Sequence, residues 1–131
     1  MTKNRDTHFH KLIKKLIRTE RTKLLKSILE PLNPVEIANI LLQLNLQHQL
    51  TVLENLDREK SSDVLNSLQG SPSILDNIVQ QMSPDLLSDV IEDIPQDDAA
   101  DFVGLLDDDK ADAILEKLSE KDREELTQLL Q

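Results

Sequence analysis

Apolar residues recur along this chain at intervals of twelve, with a single interval of fourteen. The residues that lead the successive units are Leu32, Leu44, Leu56, Leu68, Met82, Ile94, Leu106, Leu118 and Leu130. Within every twelve-residue unit the eighth position after the leading residue is also apolar, and in most units the ninth is as well. Apolar side chains at i, i+1 and i+4 form one stripe along a helix and do not fit the alternation of a strand. The repeat therefore predicts a series of short amphipathic helices.

The residue after each leading position is usually a good helix N-cap. These residues include Asn33, Asn45, Asp57, Ser83, Asp107 and Ser119. Their side chains accept hydrogen bonds from the N–H groups that the first turn of a helix leaves without partners. Pro34 and Pro84 follow two of these caps, at the first helical position, where the missing N–H of proline costs nothing. Each unit is thus expected to begin a new helix.

Helices of about eight to ten residues are too short to be stable alone in water, so neighbouring units must cover their apolar stripes. Repeats of this kind stack into a solenoid. We therefore expect an all-α fold, a superhelical solenoid over residues 32–131. The fourteen-residue interval contains the turn-forming segment 69–73, where we expect a bend rather than a domain boundary.

The first 31 residues have a different character. Apolar residues with helical spacing run from Phe9 to Leu29, and residues 1–30 hold nine Lys and Arg against three Asp and Glu. The pattern predicts one longer, basic amphipathic helix over residues 1–31. We interpret it as a cap that covers the end of the solenoid and belongs to the same domain. The alternative is weak contact of its basic face with anionic lipid headgroups.

The composition argues against several functional classes. Aromatic residues make up 2% of the chain, so the stacking platforms of single-strand nucleic-acid binders are not expected. The sequence holds no Cys and two Gly, which leaves neither thiolate metal ligands nor a glycine-rich phosphate loop. His8, His10 and His48 lack the i, i+4 spacing of a helical zinc site. We expect no enzymatic activity. No apolar run approaches the roughly 18 residues needed to span a bilayer, which predicts a soluble chain.

The distinctive chemistry is a high density of carboxylates in the second half. Residues 83–131 contain sixteen Asp and Glu against four Lys and Arg. On a helix, Asp97 and Asp101 share one face at i, i+4, and Asp98 lies close to that face. Repulsion between such neighbours falls when a hard divalent cation binds among their oxygens. The alternative is that Asp97 and Asp98 serve only to favour a helix N-terminus.

A dedicated calcium loop is not expected, because residues 107–112 lack the glycine and the closing glutamate of an EF-hand. A bare helix face supplies too few ligands to hold a cation tightly. Magnesium, by contrast, keeps several of its waters and accepts one or two carboxylates. The sequence therefore favours a weak site that is completed by a second surface.

Three segments carry a family resemblance: LNPVEIANIL at residues 32–41, MSPDLLSDVI at 82–91 and DDAAD at 97–101. Together with the twelve-residue phase, they resemble the cytosolic N-terminal domain of MgtE-type magnesium channels over residues 32–130. The resemblance implies a right-handed superhelix that precedes two CBS domains and a membrane pore in a longer bacterial protein. It also implies a position on the cytoplasmic side of the inner membrane, with homodimerisation only in that full-length context.

The same resemblance implies a regulatory function. In that family the acidic N domain binds Mg²⁺ together with the CBS domains, which favours the closed pore when magnesium is plentiful. Matching positions make Asp97 and Asp101 the expected ligands, with Asp98 and Asp63 as further candidates. Two alternatives remain open from the residues. One is an assembly module like the middle region of FliG-type flagellar proteins, and the other is a helical-repeat adaptor for a partner protein.

Overall fold

The computed structural model describes residues 2–130, with side chains from residue 9 onward. All regular secondary structure in this part of the chain is helical, which confirms the expected all-α class. The α-helices are α1 (Thr2–Arg18), α2 (Thr22–Leu29), α3 (Pro34–Leu41), α4 (Leu46–Glu54), α5 (Arg58–Ser67), α6 (Pro72–Gln81), α7 (Pro84–Glu92), α8 (Gln96–Gly104), α9 (Asp108–Lys117) and α10 (Glu120–Leu130). A short 3₁₀ turn, Leu68–Gly70, precedes α6.

The apolar stripe predicted from the repeat forms the core. All the side chains at the eighth position of the twelve-residue units are buried, namely Ile40, Val52, Val64, Val90, Phe102, Ile114 and Leu126. Most leading residues are buried as well, whereas Leu56 is half-buried and Leu130 is 42% exposed. The short helices therefore hold together by sharing their apolar faces, because none of them is long enough to be stable alone.

The predicted N-caps also form. The Asn33 side chain accepts a hydrogen bond from the Glu36 N–H at 2.8 Å, and the Glu36 carboxylate accepts one from the Asn33 N–H at 3.1 Å. This reciprocal pair is a capping box. Side-chain caps of the same kind, each bonded to the N–H three residues later, are made by Asn45, Asp57, Ser83, Asp107 and Ser119.

The helices group into two compact units, Met1–Ser67 and Leu68–Gln131. In the first unit α1 packs on α2, α3 and α4, and α3 packs on α5. In the second unit α7 packs on α8 and α9, and α8 packs on α10. The apolar stripes are therefore covered largely by the next helix but one, and not mainly by the adjacent unit as the repeat had indicated. The 69–73 segment, where the sequence predicted a bend, lies at the start of the second unit. The division into 1–31 and 32–131 stays a prediction.

The prediction of one continuous helix up to Leu29 is wrong, because the chain forms α1 and α2 with a break at Thr19–Arg21. Glu20 adopts a left-handed backbone conformation with φ of 55°. The Arg21 N–H bonds to the Leu16 carbonyl at 2.9 Å and the Glu20 N–H to the Ile17 carbonyl at 3.1 Å. This pair of bonds is a Schellman motif, which ends a helix and satisfies its last carbonyls.

The two units repeat the same helix order fifty residues apart. Helices α2 to α5 in the first unit correspond to α6 to α9 in the second. Buried positions match across this offset, as with Leu25 and Leu75 or Val64 and Ile114. This correspondence allows each side chain of the acidic second unit to be compared with a counterpart in the first.

Candidate metal-binding face

Helix α8 carries three of the four predicted site residues. Asp97 and Asp98 lie in its first turn, and Asp101 lies one turn later. Asp97 and Asp101 are exposed, and Asp98 is half-buried. The opposite side of α8 is fixed in the core by Ala99, Ala100, Phe102 and Val103, which are all buried. The apolar stripe therefore sets the orientation of the helix and presents the carboxylates to solvent. We call Asp97, Asp98 and Asp101 the α8 acidic face.

The carboxylates of Asp97 and Asp101 form no ion pair with any described side chain. An ion pair of the second unit lies elsewhere, between Lys117 and Asp85 at 2.6 Å. Asp97 also does not act as the N-cap of α8, because that position is Pro95, which makes no side-chain cap bond. The N-terminal helix dipole favours negative charge in the first turn by a few tenths of a kcal/mol. Asp97 lies in the first turn and gains this stabilisation, whereas Asp101 lies beyond the first turn and does not.

Asp107 serves as a contrast within the same acidic stretch. Its side-chain oxygen accepts a hydrogen bond from the Lys110 N–H at 2.8 Å and caps α9. The capping interpretation offered from the sequence is therefore correct for Asp107. The carboxylates of Asp97 and Asp101 have no comparable bond.

Comparison of the two units shows that the fold does not require acids on the α8 face. The corresponding helix of the first unit, α4, carries Gln47, His48 and Thr51 where α8 carries Asp97, Asp98 and Asp101. Both helices are nine residues long and bury the same stripe positions, Val52 and Phe102. Since neutral or weakly basic side chains occupy these positions in one unit, a helix of this length and burial forms without the three carboxylates.

A further carboxylate, that of Glu125, lies near this face and was not predicted from the sequence. Asp97 lines an open cleft together with Gln96, Glu125, Gln128 and Leu129. The cleft forms because α10 packs against α8. Glu125 is half-buried, and it lies one position before the buried stripe residue Leu126. Glu125 and Asp97 come close through the packing of next-but-one helices, which the sequence repeat did not indicate.

The fourth predicted residue, Asp63, lies in the first unit. It is exposed on α5 and lines a different hollow with Pro34, Asp57, Glu59 and Lys60. Its counterpart fifty residues later is Ala113 rather than an acid. Asp63 therefore has no equivalent in the acidic unit, and its role as a ligand stays a prediction.

The donor set of the α8 face suits a hydrated hard cation. Carboxylate and amide oxygens are the ligands that Mg²⁺ accepts, usually one or two at a time with several waters retained. Among the residues that the structure describes, no group of three or more His, Asp or Glu side chains is arranged to hold a metal ion. The described residues of the face therefore form no closed cage of three or more such ligands.

The two matched units and the exposed acidic face define a helical-repeat domain with an acidic surface on its second unit. The chain belongs to the family of the MgtE intracellular N domain, whose model matches residues 32–131. This membership favours the resemblance to the MgtE N domain over the resemblance to the middle region of FliG-type proteins. No helix between residues 2 and 130 is long and apolar enough to cross a membrane.

Two solved structures share the fold. One is the crystal structure of the soluble part of a magnesium transporter, with a TM-score of 0.81 and 16% identity, covering 95% of this chain and 49% of that one. The other is the cytosolic domain of the Mg²⁺ channel MgtE in complex with ATP, with a TM-score of 0.79 and 23% identity, covering 90% and 48%. This chain thus spans about half the length of each. Among curated proteins, none matches it in sequence.

Proposed function

We propose that this domain is the magnesium-sensing part of a magnesium transporter on the cytoplasmic side of the membrane. Its α8 acidic face binds Mg²⁺ together with the CBS domains of the same protein, and this contact favours the closed pore. One observation carries the proposal. In a chain of the MgtE N-domain family, Asp97 and Asp101 lie exposed and without ion pairs to described side chains, on a helix whose counterpart in the other unit carries no acid at the matching positions.

The electrostatics explain why such a contact depends on magnesium. Two surfaces that both carry exposed carboxylates repel each other, and a divalent cation between them turns the repulsion into attraction. An ion present at ten times its dissociation constant stabilises the bound state by about 1.4 kcal/mol. Moving a population from mostly released to mostly docked takes about 5.5 kcal/mol. Several ions acting together are therefore required to shift the population to the docked state. The α8 face supplies ligands for some of these ions.

A thermal-stability experiment on the protein extended through its CBS domains tests the proposal. Millimolar MgCl₂ is expected to raise the unfolding temperature. The double variant Asp97→Asn and Asp101→Asn is expected to weaken that rise, because the substitutions remove both carboxylates while the helix remains. A matched control is Asp108→Asn with Asp112→Asn, which removes two exposed carboxylates at the same i, i+4 spacing from α9. An unchanged magnesium response in the α8 double variant removes these residues from the site.

The 131-residue chain by itself provides a second test. Because the CBS ligands are absent from it, magnesium is expected to change its unfolding temperature only slightly. Submicromolar magnesium binding to this chain alone contradicts a shared site and indicates a complete one. The reading frame beyond Gln131 is equally informative, since the proposal requires CBS domains and hydrophobic segments there.

A further inference from the structure

The first unit carries an exposed basic surface that the magnesium proposal does not use. In α1, Lys11, Lys14, Lys15 and Arg18 recur at i, i+3, i+4 and i+7 and so follow one stripe of the helix. The buried Ile13 and Leu16 lie on the opposite side, against the core. After the break at Glu20, Arg21, Lys23 and Lys26 continue the basic run, and all three are exposed. We call these seven cations the basic face.

The charge on this surface is not neutralised by ion pairs among the side chains that the structure describes. None of the seven basic side chains forms an ion pair with a described side chain. Between residues 9 and 29 the single carboxylate is Glu20, at the break between the helices. Lys26, the last cation of the face in the sequence, lines one hollow together with two acidic residues, Glu30 and Asp57. The basic face therefore presents an excess of positive charge to whatever lies opposite.

Two exposed leucines lie beside the basic stripe. Leu12 is 41% exposed and Leu24 is 47% exposed, and each directly follows a lysine of the face. A step of one residue on a helix is a rotation of about 100°, so each leucine lies on the flank of the stripe, between the cations and the core. A single exposed leucine is ordinary. Here the same Lys-Leu arrangement appears in both α1 and α2.

We propose that the basic face of α1 and α2 binds an anionic lipid bilayer. Lysine and arginine attract negatively charged headgroups, and flanking leucines reach the boundary between headgroups and acyl chains. The binding is peripheral and mainly electrostatic, since the larger apolar stripe of each helix is already buried in the core. Repulsion from the acidic second unit is screened beyond about 8 Å at physiological ionic strength. This inference goes beyond the proposed function, because it requires neither magnesium nor the α8 face.

An acidic surface on a second copy of the chain is the competing partner. The second unit holds seventeen Asp and Glu against four Lys and Arg, so it is complementary in sign to the basic face. The flanking leucines favour lipid. They gain a favourable environment at a bilayer, whereas the carboxylate-rich second unit offers them few apolar partners, such as Leu105 and Leu129. The experiment separates the two partners.

Co-sedimentation of the 131-residue chain with lipid vesicles tests the proposal. Vesicles of phosphatidylcholine with about 30 mol% phosphatidylglycerol are compared with vesicles of phosphatidylcholine alone, at about 0.1 M salt. The test variant is Lys11→Gln, Lys15→Gln and Arg18→Gln. The matched control is Lys117→Gln, Lys121→Gln and Arg123→Gln, which removes three exposed cations from the second unit. Circular dichroism checks that both variants keep the helix content of the wild type.

The wild type is expected to bind the anionic vesicles and not the neutral ones. Each cation near an anionic surface contributes roughly a fivefold gain in partitioning, so the test variant is expected to bind at least about tenfold more weakly. The control is expected to bind like the wild type. Absence of wild-type binding, or an equal loss in both triple variants, overturns the proposal. So does vesicle-free self-association of the wild type that the test variant loses, because the partner is then a second copy.

Discussion

The ammonium nitrogen of Lys60 lies 2.6 Å from the backbone carbonyl oxygen of Glu30, to which it donates a hydrogen bond. This contact joins the N-terminal turn of α5 to the C-terminal end of α2. Lys110 makes the same contact in the second unit, with 2.6 Å between its ammonium nitrogen and the Gln80 carbonyl oxygen. In each unit a lysine thus neutralises the negative end of the helix that lies thirty residues earlier.

We expect Lys60→Met and Lys110→Met each to lower the free energy of unfolding by about 1–2 kcal/mol. The methionine keeps most of the apolar stem but leaves the carbonyl groups at the end of α2 or α6 without their charged donor. Urea denaturation followed by circular dichroism measures the change. Lys121→Met is the control, since Lys121 is exposed and is expected to shift stability by less than about 0.5 kcal/mol. Equal effects at Lys121 and Lys60 contradict a role for these two contacts.

The left-handed backbone at Glu20 predicts a substitution that raises the free energy of unfolding. Glu20→Gly is expected to raise the free energy of unfolding by about 0.5–1 kcal/mol, because glycine adopts positive φ without the steric cost that a side chain meets there. Lys23→Gly, at an exposed position inside α2, is expected to lower it by about 1 kcal/mol. A loss of stability in Glu20→Gly means that the helix break depends on the glutamate side chain.

Two leucines at the same repeat position allow a test of the stacking itself. Leu118 is 4% exposed, whereas Leu130 is 42% exposed. Leu118→Ala is expected to lower the free energy of unfolding by about 2–5 kcal/mol, since it leaves a cavity in the core. Leu130→Ala is expected to cost less than about 1 kcal/mol, because its side chain remains largely in water. Similar costs for the two variants contradict the burial described for the repeat.

Local patterns predicted most of the fold. The stripe residues Val52, Phe102 and Ile114 are buried as the twelve-residue spacing indicated, since covering that stripe is the only way such short helices become stable. The caps at Asn33 and Asp107 were also predicted from the sequence, because a cap bond joins residues only three apart along the chain. The helix break at Glu20 was not predicted, because a glutamate in place of the usual glycine does not indicate a left-handed backbone conformation.

Contacts between distant residues were harder to predict. The lysine contacts to Glu30 and Gln80 join positions thirty residues apart, beyond the reach of helical periodicity. At the candidate site, the exposure of Asp97 and Asp101 followed from the stripe, since they lie opposite its buried side. The position of Glu125 beside Asp97 required the packing of α10 on α8. Asp63 came from the family resemblance alone, and no contact within the first unit indicates a ligand role for it.

Amide hydrogen exchange of α8 tests the central claim most directly. In the protein extended through the CBS domains that the proposal requires, millimolar Mg²⁺ is expected to slow exchange across Gln96–Gly104 relative to a chelator-treated sample, because the proposed docking covers the α8 acidic face. The variant with Asp97→Asn and Asp101→Asn is expected to lose that protection, and the variant with Asp108→Asn and Asp112→Asn to keep it. Unchanged exchange across α8 on magnesium addition, in a protein that otherwise responds to the ion, contradicts the account.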